Sequence, residues 1–127
     1  MKKEILIKNA RVVDPSQKLD KVRDVCVCDG VFADKVSSKA KVIDAKGLVL
    51  APGFVDMHVH LREPGQTSKE SIETGTAAAA AGGYTSIVAM PNTVPAADNA
   101  STIRLINDII SETAKVRVYQ SACLTEG

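Results

Sequence analysis

Aromatic side chains are scarce in this sequence. It has no tryptophan, two tyrosines and two phenylalanines, so that aromatic residues make up 3% of the 127 residues. Proteins that bind single-stranded nucleic acid stack bases on aromatic rings inside a positively charged groove. The formal net charge here is +1, which gives no attraction to nucleic acid or to an anionic membrane. We therefore expect neither nucleic acid nor a membrane as a partner.

Long hydrophobic runs are also missing. No stretch approaches the roughly 18 apolar residues that a membrane-spanning helix needs. The first residues, "MKKEILIKNA", carry two lysines, but Glu4 follows and the apolar run after it is only three residues long. A secretory signal has an apolar segment of about 7–15 residues. These features predict a cytoplasmic location.

Cysteines are few and do not form a recognised metal or redox motif. The three are Cys26, Cys28 and Cys123, and none belongs to a C-x-x-C pair. A C-x-C pair on a strand places both thiols on one face, which could suit a soft metal. No second cysteine or histidine pair stands nearby, so these residues are predicted to be buried small hydrophobic side chains.

The first 50 residues have the pattern of a small β-rich domain. Short apolar runs alternate with turn-forming dipeptides such as Asp14-Pro15, Asp29-Gly30 and Lys46-Gly47. Short strands at this spacing predict a small antiparallel sheet. The character changes near Pro52-Gly53, and we therefore divide the chain into residues 1–50 and residues 51–127.

The second part predicts the order β-α-β-α-β. Near-continuous apolar segments alternate with an alanine-rich helical segment and a second helical segment. This order is typical of an α/β protein with a parallel sheet that is covered on both faces, either a (β/α) barrel or a doubly wound fold. The three predicted strands are residues 54–60, 84–90 and 116–122.

The helix ends carry recognisable signals. Thr67 with Glu70 three residues later matches a capping box, which predicts the start of the first helix. Gly82-Gly83 predicts its end. Asp98 or Asn99 is expected to cap the second helix, whose isoleucines at 103, 106 and 110 have helical spacing.

Both histidines of the chain lie close together in "VDMHVHLREPG". His58 and His60 are two residues apart on a predicted strand, so their side chains point to the same side. They stand at the carboxyl end of that strand, where α/β barrels hold their active sites. Two imidazoles there favour a zinc site, with Asp56 as an oxygen that could accept a second imidazole N–H. The pattern is short, however, and it also fits two ordinary hydrogen-bonded histidines.

Two further polar residues follow the predicted strands. Arg62, two positions after the histidine pair, could bind a substrate carboxylate through two parallel N–H donors, or it could be a solvated loop arginine. Asn92, in "AMPNT" at the end of the next strand, could donate its amide to a carboxylate, or it could be a turn residue after Pro91. The two together, beside the histidines, predict a binding site for an anionic substrate.

The longest motifs resemble one enzyme family closely. "PGFVDMHVHLREPG" followed by "AAAAAGGYTSIVAMPNTVP" resembles dihydroorotases, and the resemblance continues through "KNARVVDP", "KVIDAKGLVLAPG" and "LTEG" over the whole chain. The D-x-H-x-H strand is shared with hydantoinases and allantoinases, whereas the H-L-R-E-P-G and M-P-N-T segments are much more particular to dihydroorotases.

The resemblance implies a fold and a set of site residues. The fold is a (β/α)8 barrel of the TIM type with a small β-sandwich domain built from both chain ends. By this resemblance His58 and His60 bind zinc, in a site of one or two ions, and Arg62 and Asn92 bind the substrate carboxylate. The implied reaction is reversible hydrolysis of dihydroorotate to N-carbamoyl-L-aspartate in pyrimidine biosynthesis. A second copy of the chain and a transcarbamoylase are the candidate protein partners.

The resemblance also predicts that this chain is the N-terminal part of such an enzyme. A complete barrel takes about 250 residues, and the family's other zinc ligands and catalytic aspartate lie beyond the part that matches "LTEG". No catalytic residue is therefore expected before Gly127, and the 127-residue piece is expected to be inactive alone. The alternatives are an allantoinase or hydantoinase-like enzyme, which Arg62 disfavours, and a non-catalytic scaffold, which the intact site residues disfavour.

Overall fold

A computed structural model describes residues 2–126 of the chain. The chain divides into two compact units, Met1–Pro52 and Gly53–Gly127. No helix within the described residues is long and apolar enough to cross a membrane. The three cysteines, which were predicted to be buried, are half-buried and their thiols are free.

The first unit is a mixed five-stranded sheet. Its central strand, β1, pairs on one side with the antiparallel strand β2, which in turn pairs with β3. A short 3-10 helix, Pro15–Gln17, connects β1 and β2. The strands are β1 Glu4–Asp14, β2 Leu19–Cys28, β3 Val31–Ala33, β4 Lys41–Asp44 and β5 Val49–Leu50.

The prediction of an antiparallel sheet is wrong for two of these strands. After β3 the chain passes to the other side of β1, where β4 and β5 run parallel to it. β4 lies beside Ile5–Lys8 and β5 beside Arg11 and Val12, so that two short strands share one long partner. Alternating apolar residues indicate a strand but not its direction, since both directions expose one face and bury the other.

An irregularity in β1 separates these two pairings. Asn9 has a positive φ of 61°, and the register with β2 shifts between Ile7 and Ala10. Asp24 accepts a hydrogen bond from the Asn9 backbone N–H at 2.9 Å, and Asp44 accepts one from its side-chain amide at 3.0 Å. These bonds fix a bulge in the central strand.

The second unit confirms the β-α-β-α-β order. The strands are parallel and adjacent in the order β6-β7-β8. Buried residues from the strands, both helices and the loops form one core that includes Ile72, Ile87 and Ile106. The elements are β6 Phe54–Val59, α1 Ile72–Ala81, β7 Tyr84–Ala89, α2 Ala100–Thr113 and β8 Arg117–Gln120.

Helix α1 begins later than its sequence signal predicts. The capping box consists of Ser71, whose hydroxyl accepts from the Thr74 backbone N–H at 3.1 Å, and Thr74, whose hydroxyl accepts from the Ser71 N–H at 3.0 Å. The box predicted from Thr67 and Glu70 is therefore wrong, because those residues lie in the turns that precede the helix. The predicted end at Gly82 and the Asn99 cap of α2 are confirmed.

The three parallel strands differ in burial. In β7, Ser86, Ile87 and Ala89 are buried, as predicted for a strand that is covered on both faces. In β6, by contrast, Val55 and Met57 are exposed, Met57 by 74%. Within residues 2–126, β6 has only β7 as a neighbour, and this leaves much of its surface uncovered.

Candidate functional site

The two histidines lie side by side where β6 ends. His58 belongs to the strand and His60 follows its last residue. Their ring centroids are 5.2 Å apart and the rings meet edge to face, with 65° between their planes. A tetrahedral zinc ion that binds two imidazoles at about 2.0–2.1 Å holds their centroids roughly 5 Å apart. The separation of the two rings is therefore close to that of two imidazoles on one zinc ion.

A complete metal site is not present among the described residues. Within residues 2–126, no group of three or more histidine, cysteine, aspartate or glutamate side chains could hold a metal ion. A catalytic zinc needs three protein ligands and an open position. The histidine pair supplies two nitrogen donors of the type that zinc prefers.

Asn92 joins the histidine pair from the neighbouring strand. It lies three residues after β7, and its Oδ1 is 2.8 Å from Nδ1 of His60. An amide oxygen only accepts hydrogen bonds, so Nδ1 is the donor of this bond, and in the neutral ring the lone pair is then at Nε2. Metal-binding histidines commonly donate their second ring N–H to an oxygen in this way. Among residues 2–126 the amide nitrogen of Asn92 has no hydrogen-bond partner, so its two donors remain for another group.

Among residues 2–126, Asp56 does not accept the imidazole N–H that the sequence predicts for it. Its Oδ1 accepts a hydrogen bond from the backbone N–H of His58 at 3.0 Å, and not one from an imidazole. This contact supports the strand backbone just before the histidines. The oxygen partner of an imidazole comes instead from Asn92, for which the sequence predicts either a substrate-binding residue or a turn residue.

Arg62 follows the pair in an unusual backbone conformation. Its φ is +58°, in the left-handed region that favours glycine, and its carbonyl accepts from the Gln66 N–H at 2.9 Å. Holding another residue type there costs on the order of 1–3 kcal/mol, and such residues cluster at ligand sites. The side chain is half-buried, and within residues 2–126 it has no hydrogen-bond or ion-pair partner. It is therefore available to an anion.

Two loops carry these residues and contact each other. We call residues 61–66 the arginine loop and residues 90–95 the asparagine loop. The N–H of Val94 donates to the carbonyl of Pro64 at 3.0 Å, which joins the loops through their backbones. Glu63 accepts from the N–H of Ile72 at 2.8 Å and so anchors the arginine loop to the first residue of α1.

Sequence reasoning missed the residues that hold these loops. Glu63 and Gly65 were seen only as parts of a motif, and neither was assigned a role. The Pro64-Gly65 dipeptide is a turn signal that could have drawn attention to the arginine loop. Nothing in the local pattern indicates that this turn contacts Val94, which is 29 residues further along the chain.

Comparisons with known proteins agree on one superfamily. The sequence pattern of a family described as dihydro-orotase-like matches residues 47–127. The chain is 50% identical over 125 residues to a dihydroorotase of Elusimicrobium minutum, with 95% of this chain and 29% of that protein covered. It is 44% identical over 128 residues to a dihydroorotase of Aquifex aeolicus, with 98% and 30% covered.

Solved structures show a similar fold. An L-hydantoinase (dihydropyrimidinase) from Arthrobacter aurescens superposes with a TM-score of 0.75 and 27% identity, over 96% of this chain and 28% of that one. A dihydropyrimidinase from Brevibacillus agri superposes with a TM-score of 0.72 and 32% identity, over 100% of this chain and 28% of that one. The chain thus spans about three tenths of the length of the proteins that it matches.

Proposed function

Because this chain belongs to the dihydro-orotase-like family, we propose that it contributes part of the active site of a zinc-dependent dihydroorotase. The reaction is the reversible hydrolysis of dihydroorotate to N-carbamoyl-L-aspartate in pyrimidine biosynthesis. Strands β6, β7 and β8 are, in this proposal, three adjacent strands of a (β/α)8 barrel. Their carboxyl ends then face the mouth of the barrel, where such enzymes hold their active sites.

One observation carries this proposal: the hydrogen bond between His60 and Asn92. It connects a proposed metal ligand at the end of β6 to a proposed substrate-binding residue after β7. The amide oxygen of Asn92 keeps Nε2 of His60 free to bind zinc, and the amide nitrogen can donate to a carboxylate. A single side chain thus connects the metal ligand to the substrate.

In this proposal the described residues have two roles, metal binding and substrate binding. His58 and His60 would hold zinc, which would act as a Lewis acid on the ring carbonyl and activate water for attack. Arg62 would grip the dihydroorotate carboxylate through two parallel N–H donors. With the Asn92 amide on the same carboxylate, the ring would be oriented with its reacting amide toward the histidine pair, and such positioning supplies much of the catalytic effect.

A hydantoinase-like activity is the second candidate. It is favoured by the structural similarity to the L-hydantoinase, with a TM-score of 0.75. Arg62 favours the first candidate, because a half-buried guanidinium without a partner suits a ring that carries a carboxylate. The identity of 44–50% to the two dihydroorotases, against 27% to the hydantoinase, favours it too.

A cytoplasmic location accords with the proposed activity. The three cysteines have free thiols, as is usual where glutathione and thioredoxin keep thiols reduced. A second copy of the chain and a transcarbamoylase stay predicted partners.

The decisive experiment compares zinc content and turnover in the full-length enzyme. His58→Ala should lower both zinc content and dihydroorotate turnover, because it removes one of the two donors that this chain supplies. Met57→Ala is the matched control, since Met57 is the preceding residue of the strand and points to the other side. A His58→Ala variant with unchanged zinc content and turnover would contradict the ligand assignment. Faster hydrolysis of hydantoin than of dihydroorotate by the unmodified enzyme would favour the second candidate.

A further inference from the structure

Gly65 stands where the arginine loop and the asparagine loop touch. Its φ is +91°, a conformation that other residues rarely adopt. A Cβ atom built on Gly65 would overlap the carbonyl oxygen of Val94 and lie 2.6 Å from the Val94 Cβ. Real Cβ atoms essentially never show contacts below 3.0 Å. The close approach of the two loops therefore requires the absence of a side chain at this position.

Both loops are held internally as well as to each other. In the arginine loop, the Gln66 N–H donates to the Arg62 carbonyl at 2.9 Å. In the asparagine loop, the hydroxyl of Thr93 donates to the Pro95 carbonyl at 2.7 Å. Because each loop is fixed by its own hydrogen bonds, a displacement at the Gly65–Val94 contact would move the loops as units.

We propose that Gly65 is a positioning residue that sets the spacing between Arg62 and Asn92. Gly65 is three residues after Arg62, and Val94 is two residues after Asn92, so the contact lies close in sequence to both carboxylate-binding side chains. A Cβ at position 65 would separate the loops by on the order of 1 Å, a displacement that can lower an enzyme's rate about 100-fold. This inference rests on the proposed function, because it assumes that Arg62 and Asn92 share one carboxylate.

The test is Gly65→Ala in the full-length enzyme. We expect the KM for dihydroorotate and the Kd for orotate, the unsaturated ring with the same carboxylate, each to rise by about tenfold or more. With zinc supplied in excess, zinc content should stay at the level of the unmodified enzyme, because His58 and His60 lie at the end of β6 and keep their places even if Asn92 moves away from His60. A variant that is merely less stable would contain less active enzyme, which lowers the apparent kcat but leaves the KM and the Kd unchanged.

Gly30→Ala is the matched control. Gly30 has a φ of +82°, close to that of Gly65, but a Cβ there meets nothing within 4 Å. The Gly30→Ala variant therefore reproduces the backbone strain without disturbing the contact between the loops. Its KM for dihydroorotate and its Kd for orotate should equal those of the unmodified enzyme. An unchanged Kd for orotate in Gly65→Ala, or an equal rise in both variants, overturns the proposal.

A second variant covers the case in which Gly65→Ala does not fold. Thr93→Val removes the hydrogen bond that holds the asparagine loop and keeps the shape of the side chain. At saturating zinc, a raised Kd for orotate supports the proposal that the position of the asparagine loop sets carboxylate binding, and an unchanged Kd overturns it. The proposed function itself is tested on the unmodified enzyme, and it fails if that enzyme neither hydrolyses dihydroorotate nor binds orotate. The Gly65 proposal is tested on the variants, so the two failures can be told apart.

Discussion

Arg62 and Asn92 differ in how their side chains are engaged. Asn92 already uses its amide oxygen on His60 at 2.8 Å, whereas the guanidinium of Arg62 has no partner within the described residues. Their substitutions should therefore have different effects. Substitutions of Arg62 should change only the affinity for the substrate. Substitutions of Asn92 should change the affinity for the substrate and the affinity for zinc.

Arg62→Lys should be damaging although it keeps the charge. Lysine cannot reproduce the planar two-point contact with a carboxylate, and each hydrogen bond to a charged group that is lost costs about 1.5–3 kcal/mol. We expect kcat/KM for dihydroorotate to fall accordingly in the full-length enzyme. Arg104→Lys, at an exposed position of α2, is the control and should have no effect. Equal kinetics for both variants would identify Arg62 as a surface residue and reopen the hydantoinase alternative.

Asn92→Asp and Asn92→Leu should separate the two roles of that residue. Aspartate still accepts from Nδ1 of His60, so zinc affinity should be kept, but its charge repels the substrate carboxylate and should raise the KM. Leucine removes the acceptor, and the loss of such a partner typically lowers metal affinity about 10–100-fold. Competition with a chelator measures the zinc affinity. Asn107→Leu, on the exposed side of α2, is the control for losing an asparagine. Equal zinc affinities in all three variants would contradict the proposal that Asn92 supports His60 as a zinc ligand.

At the scale of the element, helix α1 is held at its start by two independent contacts. In the Ser71–Thr74 capping box, the two hydroxyls accept hydrogen bonds from backbone N–H groups at the start of the helix. Glu63, which belongs to the arginine loop, accepts a further hydrogen bond from the N–H of Ile72. Free N–H groups at a helix start also favour a negative charge there. The helix thus gains stability from the same contact that anchors the loop.

Ser71→Ala should destabilise the first turn of α1 by about 1 kcal/mol, the usual cost of losing such a cap. Hydrogen exchange of the amides near Thr74 should then become about fivefold faster, since about 1.4 kcal/mol corresponds to a factor of ten. Ser68→Ala, at an exposed position of the preceding turns, is the control. Equal exchange in the two variants would show that the cap observed here does not stabilise the helix.

The β1 bulge should make the first unit sensitive to acid. The side-chain hydrogen bond from Asn9, the backbone N–H of Lys46 and the nearby charge of Lys8 hold the pKa of Asp44 below its usual range. A carboxyl whose pKa is lower in the folded state stabilises the fold above its unfolded pKa and loses that contribution as the pH falls through the folded pKa. Stability of this unit should therefore fall below about pH 4.

Asp44→Asn tests this pH dependence. The variant cannot titrate at position 44, so its stability should change less between pH 5 and pH 3 than that of the unmodified protein, as followed by hydrogen exchange of β1 and β4. Asp108→Asn, on the exposed surface of α2, is the control and should keep the full change. An unaltered acid profile for Asp44→Asn would contradict the lowered pKa.

At the scale of the whole molecule, the parallel sheet has an unpaired edge strand on each side among the described residues. Within residues 2–126, β6 and β8 each pair only with β7. Phe54, Val55 and Met57 on β6 are all more than half exposed. Unpaired strands with apolar side chains readily pair with other chains.

The isolated 127-residue chain should therefore associate with copies of itself. Sedimentation velocity should show species larger than a monomer, and Met57→Lys should shift them toward the monomer by placing a charge on the exposed side of β6. Leu105→Lys, which changes an exposed leucine of α2, controls for the added charge. A monomer at every concentration, or an equal effect of both lysines, would show that β6 is not the associating surface.

The sequence by itself determined the elements and most of the candidate site. Apolar periodicity predicted the three parallel strands and both helices, since burial of one face requires a regular spacing of apolar residues. The H-x-H spacing alone placed His58 and His60 on one side of a strand. These features are local, because they depend on residues that are at most a few positions apart.

Only the tertiary structure decided what depends on residues far apart in the chain. The direction of β4 and β5, the hydrogen bond between His60 and Asn92, and the contact of Gly65 with Val94 each join segments about 30 or more residues apart. A local pattern specifies which residues form a strand or a turn, but not which other segment it will meet. That choice depends on the packing of the whole unit, because strand direction and loop contacts are set by the core that the segments share.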